Sequence, residues 1–307
     1  MPSEGFHDRD GLIWFDGEMV DWRDANLHML THALHYASSV FEGERVYGGN
    51  IFKLREHTER LINSAEIMGF EIPYSAEEID AACIQACEAN NIVDGYVRPI
   101  AWRGSEMMGV SAQETKIHLA IAVWAWPSYF SPEARNKGIS LKTSKWRRPP
   151  PESAPVHAKS AGLYMICTMS KHDAEAAGYD DALMLDWRGN VVEGTGANFF
   201  MITEGNVINT PPPDCFLNGI TRQTVIKLAK ERGYELVERH IRPEELKDAL
   251  EIFVTGTAAE VTPVGKIDDL ELTVGEVTKT LRADYEKLVG RSEDAASAAY
   301  SLSGTRS

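Results

Sequence analysis

The stretch APVHAKSAGLYMICTMSKHDAEAAGY, residues 154–179, sets Lys159 among alanine, serine and glycine with no acidic residue beside it. A lysine near a helix start can lay its stem along apolar surface and keep its ammonium in water. It can instead be held in a poorly solvated pocket, where the amine gives up its proton more readily and becomes competent for imine formation and proton transfer. The residues after Lys159 read as a helix packed against something, with the lysine at its opening. Which reading holds depends on what the rest of the chain could bring to an amine.

Composition narrows the field. The 307 residues suffice for two domains, each with its own core, and 43% hydrophobic with 25% charged residues is the balance of a globular chain. No run of eighteen apolar residues occurs, and MPSEGFHDRDG carries neither a basic n-region nor an apolar h-region, so a cytoplasmic protein is expected. With 31 basic against 46 acidic residues the net charge is −15, which repels a phosphate backbone and argues against nucleic acid. Cys83, Cys87, Cys167 and Cys215 show no C-x-x-C spacing, which leaves no redox pair or zinc ribbon. Cys83 and Cys87, four apart, suit a packed helix face.

GLIWFDGEMVDW alternates around Asp16-Gly17, a hairpin signal. Two β-rich segments flank Gly48-Gly49, and REHTERLINSAEIMG then places Leu61, Ala65 and Met68 on one helical face. Ser75 and Glu78 form a capping-box pattern before a second helix. GYVRPIAWRG and KIHLAIAVWAW read as strands. Residues 1–126 thus form a small α+β domain. PSYFSPEARNKG, residues 127–138, has linker composition. Residues 139–291 make a larger domain: a strand at ISLKTSKW, a proline-rich loop, the helix after Lys159, a meander from Asp181, a helix between Gly219 and Gly233, and a strand, EIFVTG, running into a glycine turn. The small, polar tail 292–307 is expected to be disordered. Strands do not alternate strictly with helices, which disfavours a doubly wound sheet.

An imine-forming lysine needs an electron-withdrawing partner. A pyridoxal ring serves well only while its ring nitrogen stays protonated, which calls for a carboxylate. Glu193 in VVEGTGANFF sits at the end of an apolar strand beside small residues that admit a planar ring, although a glutamate at a strand end is commonly just solvated. A cofactor phosphate needs backbone N–H donors, and two stretches could supply them: Gly219, Ile220 and Thr221 at a helix start, and Gly256, Thr257 and Ala258 after a strand. Both are also ordinary glycine punctuation. Arg60 could add a charge-assisted contact, or it could form an exposed helix pair with Glu56. Tyr36, Phe41, Tyr96, Trp102, Trp124, Trp126 and Tyr129 could be core, or a subset beside Arg98 could line a pocket for apolar side chains and one carboxylate. His28, His32 and His35 fall at i, i+4 and i+7, but no H-E-x-x-H pattern accompanies them, so no metal is expected.

Taken together, HALHYASSVFEGERVY, YVRP, MGV, AKSAGLY, EGTGANFF, GITR and GTAAEVTPV, in that order between residues 12 and 288, resemble the branched-chain aminotransferases of the class IV, fold-type IV, pyridoxal 5'-phosphate enzymes. The resemblance implies a two-domain α+β fold with a β-barrel-like sheet in the larger domain, and a homodimer. It implies that Lys159 carries the cofactor and moves the substrate Cα proton, that Glu193 pairs with the pyridine nitrogen, and that Tyr164 bonds the ring hydroxyl. Arg60, Gly219, Ile220, Thr221, Gly256 and Thr257 then match the phosphate cradle, and Ala258 and Ala259 the donors to the substrate carboxylate. Tyr36, Phe41, Gly43, Val110, Trp126 and Tyr129 match the side-chain pocket, while Tyr96 with Arg98 matches the feature that tolerates a second carboxylate.

The implied reaction passes the amino group of L-leucine, L-isoleucine or L-valine to 2-oxoglutarate, giving L-glutamate. A class IV transaminase of D-amino acids or (R)-amines would share Lys159 and Glu193, and YVRP with MGV favours the L-branched-chain reading; an aminodeoxychorismate-type lyase is a third candidate, which an assay for pyruvate release would separate. A phosphate or nucleotide binder without catalysis would use the glycine turns alone, but no P-loop pattern is present. The chain departs from the family at Glu44, where an apolar residue is usual, at Ala197 in place of an acid, and in SAGLY in place of AGGNY. Glu44 beside Arg45 is expected near the pocket entrance or as half of a surface ion pair.

Overall fold

A computed structural model describes residues 5–126 and 136–291; Tyr129, most of the proposed linker 127–138 and the tail 292–307 lie outside the described residues. The described residues form two compact units, one of residues 5–126 with Ala158–Gly162 and the other of residues 136–157 with 163–291.

The first unit is a seven-stranded, antiparallel sheet covered by helices. Strands β1 (Leu12–Phe15) and β2 (Glu18–Asp21) are joined by the expected hairpin, whose Asp16 and Gly17 both take positive φ, 49° and 99°. After the short helix α1 (His32–Tyr36) come β3 (Ser39–Phe41), β4 (Glu44–Tyr47) and β5 (Asn50–Ile51). Helices α2 (Leu54–Ile67) and α3 (Ala76–Ala89) follow, the latter started by a complete capping box at Ser75 and Glu78. The long strands β6 (Gly95–Arg103) and β7 (Ile117–Ala125) complete the sheet, in the order β2-β1-β7-β6-β4-β5 with β3 also on β6.

Alternation decides what each face carries. Val46, Val97 and Val123 join Leu61 and Ala65 of α2 and Ile79, Cys83 and Cys87 of α3 in one core. Tyr96, Arg98 and Trp124 fall on the opposite face, with Tyr96 directly across from Trp124.

Residues 158–162 belong to this unit, not to the larger one as their position in sequence suggests. Val40 pairs with Ser160, the Phe41 N–H donates to the Lys159 carbonyl at 3.1 Å, and the Lys159 N–H donates to Ser64 Oγ on α2 at 2.9 Å. Lys159 therefore lies ahead of any helix, and helix α4 (Tyr164–Ala176) begins only after a 3-10 turn at Ala161–Leu163.

The second unit is built on a nine-stranded sheet. Six strands close a ring: β8 (Ile139–Arg148), β9 (Asp181–Asp186), β10 (Val191–Glu193), β11 (Asn198–Thr203), β14 (Glu251–Gly256) and β15 (Glu260–Ile267). The β10–β11 pairing closes the barrel through Glu193 opposite Asn198. β12 (Val207–Thr210), β13 (Leu236–Glu238) and β16 (Leu270–Glu271) extend the sheet. Ile139, Leu183, Val191, Phe199, Ile252 and Val264 fill the core. Helix α5 (Ile220–Glu231) starts after Gly219, with Gly233 just past its end at φ 80°, and α6 (Glu276–Leu288) packs on β14 and β15. No described helix is long and apolar enough to cross a membrane.

Candidate active site

In the first unit the half-buried Lys159 places its Nζ 4.9 Å from the centre of the Phe41 ring, and the Arg98 guanidinium stands 4.8 Å from that ring. Arg98 also donates a long hydrogen bond, 3.5 Å, to the Tyr96 hydroxyl. Tyr96, Trp124 and Trp126 form one aromatic group with centroid separations of 5.2 to 5.7 Å. A Cβ at Gly43 would collide with the Tyr96 hydroxyl, so only glycine fits beside that ring. The unit thus brings Lys159, Phe41, Gly43, Tyr96, Arg98 and Trp126 together. Trp102 lies apart, stacked on His118. Tyr36 stands apart from these: the His32 ring stacks on it at 4.5 Å and donates through Nε2 to the carbonyl of Gly109, next to the exposed Val110, at 2.8 Å. His28 lies outside α1, and no group of three or more metal-ligating side chains occurs among the described residues.

Arg60 is not the exposed partner of Glu56, which instead pairs with Lys53 at 2.9 Å. It grips Glu42 with two parallel bonds, Nε to Oε1 at 2.6 Å and Nη2 to Oε2 at 2.8 Å, and His57 Nδ1 donates to Oε2 at 2.7 Å. Burial pushes the Glu42 carboxyl up, but Arg60 and His57 outweigh it and hold the group well below the carboxylate range. Burial lowers His57, so it sits as a neutral ring with the proton on Nδ1.

Glu44 corrects a sequence expectation. It is fully buried, neither oxygen has a hydrogen-bond partner, and its carboxyl bears on Cys83 and Cys87 of α3. It is neither at a pocket entrance nor in a surface ion pair. Burial first, then the negative charges of Glu42 and Asp80, push its carboxyl well above the usual carboxylate range.

In the second unit Glu193 is 8% exposed at the end of β10. Arg148 Nε lies 3.1 Å from its Oε1, and the Asn198 amide donates to it at 3.5 Å. Burial works against the Arg148 charge, and the Glu193 carboxylate outweighs that penalty. Asn198 also receives the Gly219 N–H at 3.1 Å and donates to the Leu217 carbonyl at 3.1 Å, tying Glu193 to the start of α5, where Ile220 and Thr221 stand. A Cβ at Gly219 would run into Asn198 Oδ1, and one at Gly256 would sit 3.0 Å from the Gly196 carbonyl. Thr257, Ala258 and Ala259 form the tight turn between β14 and β15. Tyr164 opens α4, next to Leu163, whose carbonyl accepts from Arg148.

Glu42, Arg148 and Asn198 were not singled out from the sequence. A glutamate between Phe41 and Gly43 in an apolar segment, and two arginines ahead of a proline run, are the signals that could have marked the first two. Asn198 lies inside the quoted EGTGANFF, but its link to Gly219 spans 21 residues.

The closed barrel with a buried carboxylate at a strand end, and the unit carrying Lys159 over the Phe41 ring, define a class that comparison with known proteins identifies. The family description "Amino-transferase class IV" matches residues 39–267. A branched-chain-amino-acid aminotransferase of Pseudomonas aeruginosa is 46% identical over 294 residues, covering 93% of this chain and 95% of that protein. The crystal structure of the Escherichia coli branched-chain amino acid aminotransferase superposes with a TM-score of 0.89 at 39% identity, covering 93% of this chain and 97% of that one. An aminotransferase from Brucella abortus, bound to the cofactor PLP, gives 0.81 at 33% identity, covering 92% of this chain and 100% of that one. The chain belongs to the class IV aminotransferases.

Proposed function

We propose that the protein transfers the amino group of L-leucine, L-isoleucine and L-valine to 2-oxoglutarate, with pyridoxal 5'-phosphate as cofactor. The observation that carries this reading is the buried Glu193 carboxylate with Arg148 at 3.1 Å, at a strand end next to glycine-permitted backbone. The residues fit the group: Gly219 and Gly256 stand where a side chain would fill the space, and carboxylate, cation and backbone donors are those that a phosphorylated pyridine calls for. When bound, pyridoxal phosphate supplies the carbonyl that captures an amine and the ring that withdraws electrons from its Cα.

This chain's residues do the rest. In the second unit, Glu193 holds a proton on the ring nitrogen, the Tyr164 hydroxyl orients the ring, and Ile220, Thr221 and Thr257 offer donors to phosphate. The Ala258 and Ala259 backbone holds the substrate carboxylate. In the first unit, the Lys159 amine anchors the cofactor and carries the proton at substrate Cα, and Arg60 meets phosphate. Phe41, Gly43, Tyr96 and Trp126 receive the apolar side chain, with Tyr36 and Val110 at the dimer face and Tyr129 assigned by resemblance. Arg98, already lying over Phe41, takes the second carboxylate of glutamate.

We further place the protein in the cytoplasm as a homodimer. Met29, Leu34 and Val110, which are 73%, 62% and 87% exposed on the first unit, are the kind of apolar surface a second copy covers. The four cysteines are free thiols, the form kept in a reducing compartment.

The test is chemical. Borohydride treatment of the holoenzyme should fix the cofactor's mass on the peptide containing Lys159, and a panel of amino donors with 2-oxoglutarate should favour the three branched ones. Lys159→Ala should abolish turnover, since it removes both anchor and proton carrier. Normal transamination by that variant would end this reading.

A further inference from the structure

Glu42 is held from every side. Its carboxylate accepts from Arg60 Nε at 2.6 Å, Arg60 Nη2 at 2.8 Å, His57 Nδ1 at 2.7 Å and the Gly43 N–H at 3.2 Å. Three of these contacts fall on Oε2 and one, the shortest, on Oε1. The backbone is pinned as well, because the Glu42 N–H donates to the Pro99 carbonyl on β6 at 2.8 Å. His57 and Arg60 are one helical turn apart on α2, so helix and sheet are joined through this one group. Glu42 and His57 side chains are 0% and 2% exposed, whereas that of Arg60 reaches 14%.

We propose that Glu42, backed by His57, is a positioning residue for the cofactor: it holds the Arg60 guanidinium in the one plane and rotamer in which it meets the phosphate. The inference rests on the reading of Arg60 as a phosphate ligand. A bidentate arginine–carboxylate pair fixes the guanidinium plane, and a long side chain ordered in advance loses less freedom when its anion arrives. His57 contributes by geometry. As a neutral ring with its proton on Nδ1, it fills the outer side of Oε2 without adding charge that would compete for Glu42. The arrangement differs from an ordinary buried ion pair in its asymmetry: the acid is sealed in the core and the base reaches towards solvent.

The experiment compares equilibrium binding of pyridoxal phosphate with that of pyridoxal, which has the same ring and aldehyde but no phosphate. Glu42→Asp keeps the charge and withdraws the carboxylate by one methylene. It should weaken pyridoxal phosphate about five- to tenfold, the scale for ordering one long side chain, and leave pyridoxal within about twofold. Arg60→Ala should show the same selectivity more strongly, and Glu42→Asp added to it should cost nothing more, since the two act as one unit. Should Glu42→Asp fail to fold, His57→Asn probes the same clamp from its other side and should give a smaller loss of the same selectivity. Equal losses for both ligands, or a loss that persists in the Arg60→Ala background, would make Glu42 merely structural and overturn the inference while Arg60 keeps its role. An Arg60→Ala variant that weakens both ligands alike would instead overturn the reading of Arg60, and this inference with it.

Discussion

Glu42 with Arg60 in the first unit and Glu193 with Arg148 in the second each set a buried glutamate against an arginine, and the two pairs are built differently. Glu42 in the first unit is clamped by four donors, two of them from the Arg60 fork. Glu193 in the second has Arg148 Nε at 3.1 Å, yet that nitrogen makes no aligned hydrogen bond, and Asn198 reaches the carboxylate only at 3.5 Å. Towards these two neighbours Glu193 is restrained by charge more than by well-aligned bonds. A carboxylate gripped by a bidentate arginine and further short donors stiffens structure more than long contacts such as those of Arg148 and Asn198 can. Glu44, two residues from Glu42 but with no hydrogen-bond partner, shows the third outcome: a carboxyl whose proton burial holds more tightly than usual.

The sharpest way to break this contrast is Glu193→Gln. A neutral partner no longer favours the protonated ring, so Cα deprotonation should slow by several orders of magnitude, on the order of 3 to 5 kcal/mol in barrier, while the chain stays folded. Single-turnover kinetics at the wild-type rate would assign Glu193 a purely structural role. Arg98→Ala comes next in size. Arg98 lies over Phe41 and near the Tyr96 hydroxyl, so its stem can flank an apolar side chain and its guanidinium a carboxylate. The half-reaction with glutamate should lose about 2 to 4 kcal/mol of transition-state binding, and that with leucine far less. Equal losses in separate single-turnover measurements would assign Arg98 to the fold.

The smallest effects are on stability, and the two buried glutamates Glu42, just before β4, and Glu44, at its start, should move it in opposite directions. Glu44 has its folded pKa raised, so between the unfolded value, about 4.3, and the folded one the native state holds a proton that the unfolded state releases. Stability therefore falls as pH rises through that window. Glu44→Met should abolish that slope and add about 1 to 3 kcal/mol at pH 8, read from denaturant midpoints. An unchanged midpoint would mean that water already satisfies the group. Glu42 and His57 have folded values depressed, so their contribution is present above the unfolded values and is lost as pH falls towards the folded ones. Glu42→Gln should flatten the acid limb of the stability profile, and an acid limb identical to wild type would contradict the pairing.

Local chemistry wrote much of the fold legibly. The Asp16-Gly17 hairpin, the Ser75–Glu78 capping box, strands β6 and β7, and α5 between its two glycines all follow from signals within a few residues of where they act. The ordered motifs singled out Lys159 and Glu193 as candidates, because amine and carboxylate chemistry restricts which residue types could serve there. Other features were misread or unread: Lys159 as the opening of a helix, Glu44 near a pocket, the grip of Arg60 on Glu42, and α6, which drew no reading at all. Tertiary structure alone decided these. Glu42 and Arg60 are 18 residues apart, and Lys159 is held to Ser64 across 95. A periodic pattern records which face a residue takes, but not what the opposite face will bring, and a buried charge is fixed by that partner, or by its absence, far more than by its neighbours in sequence.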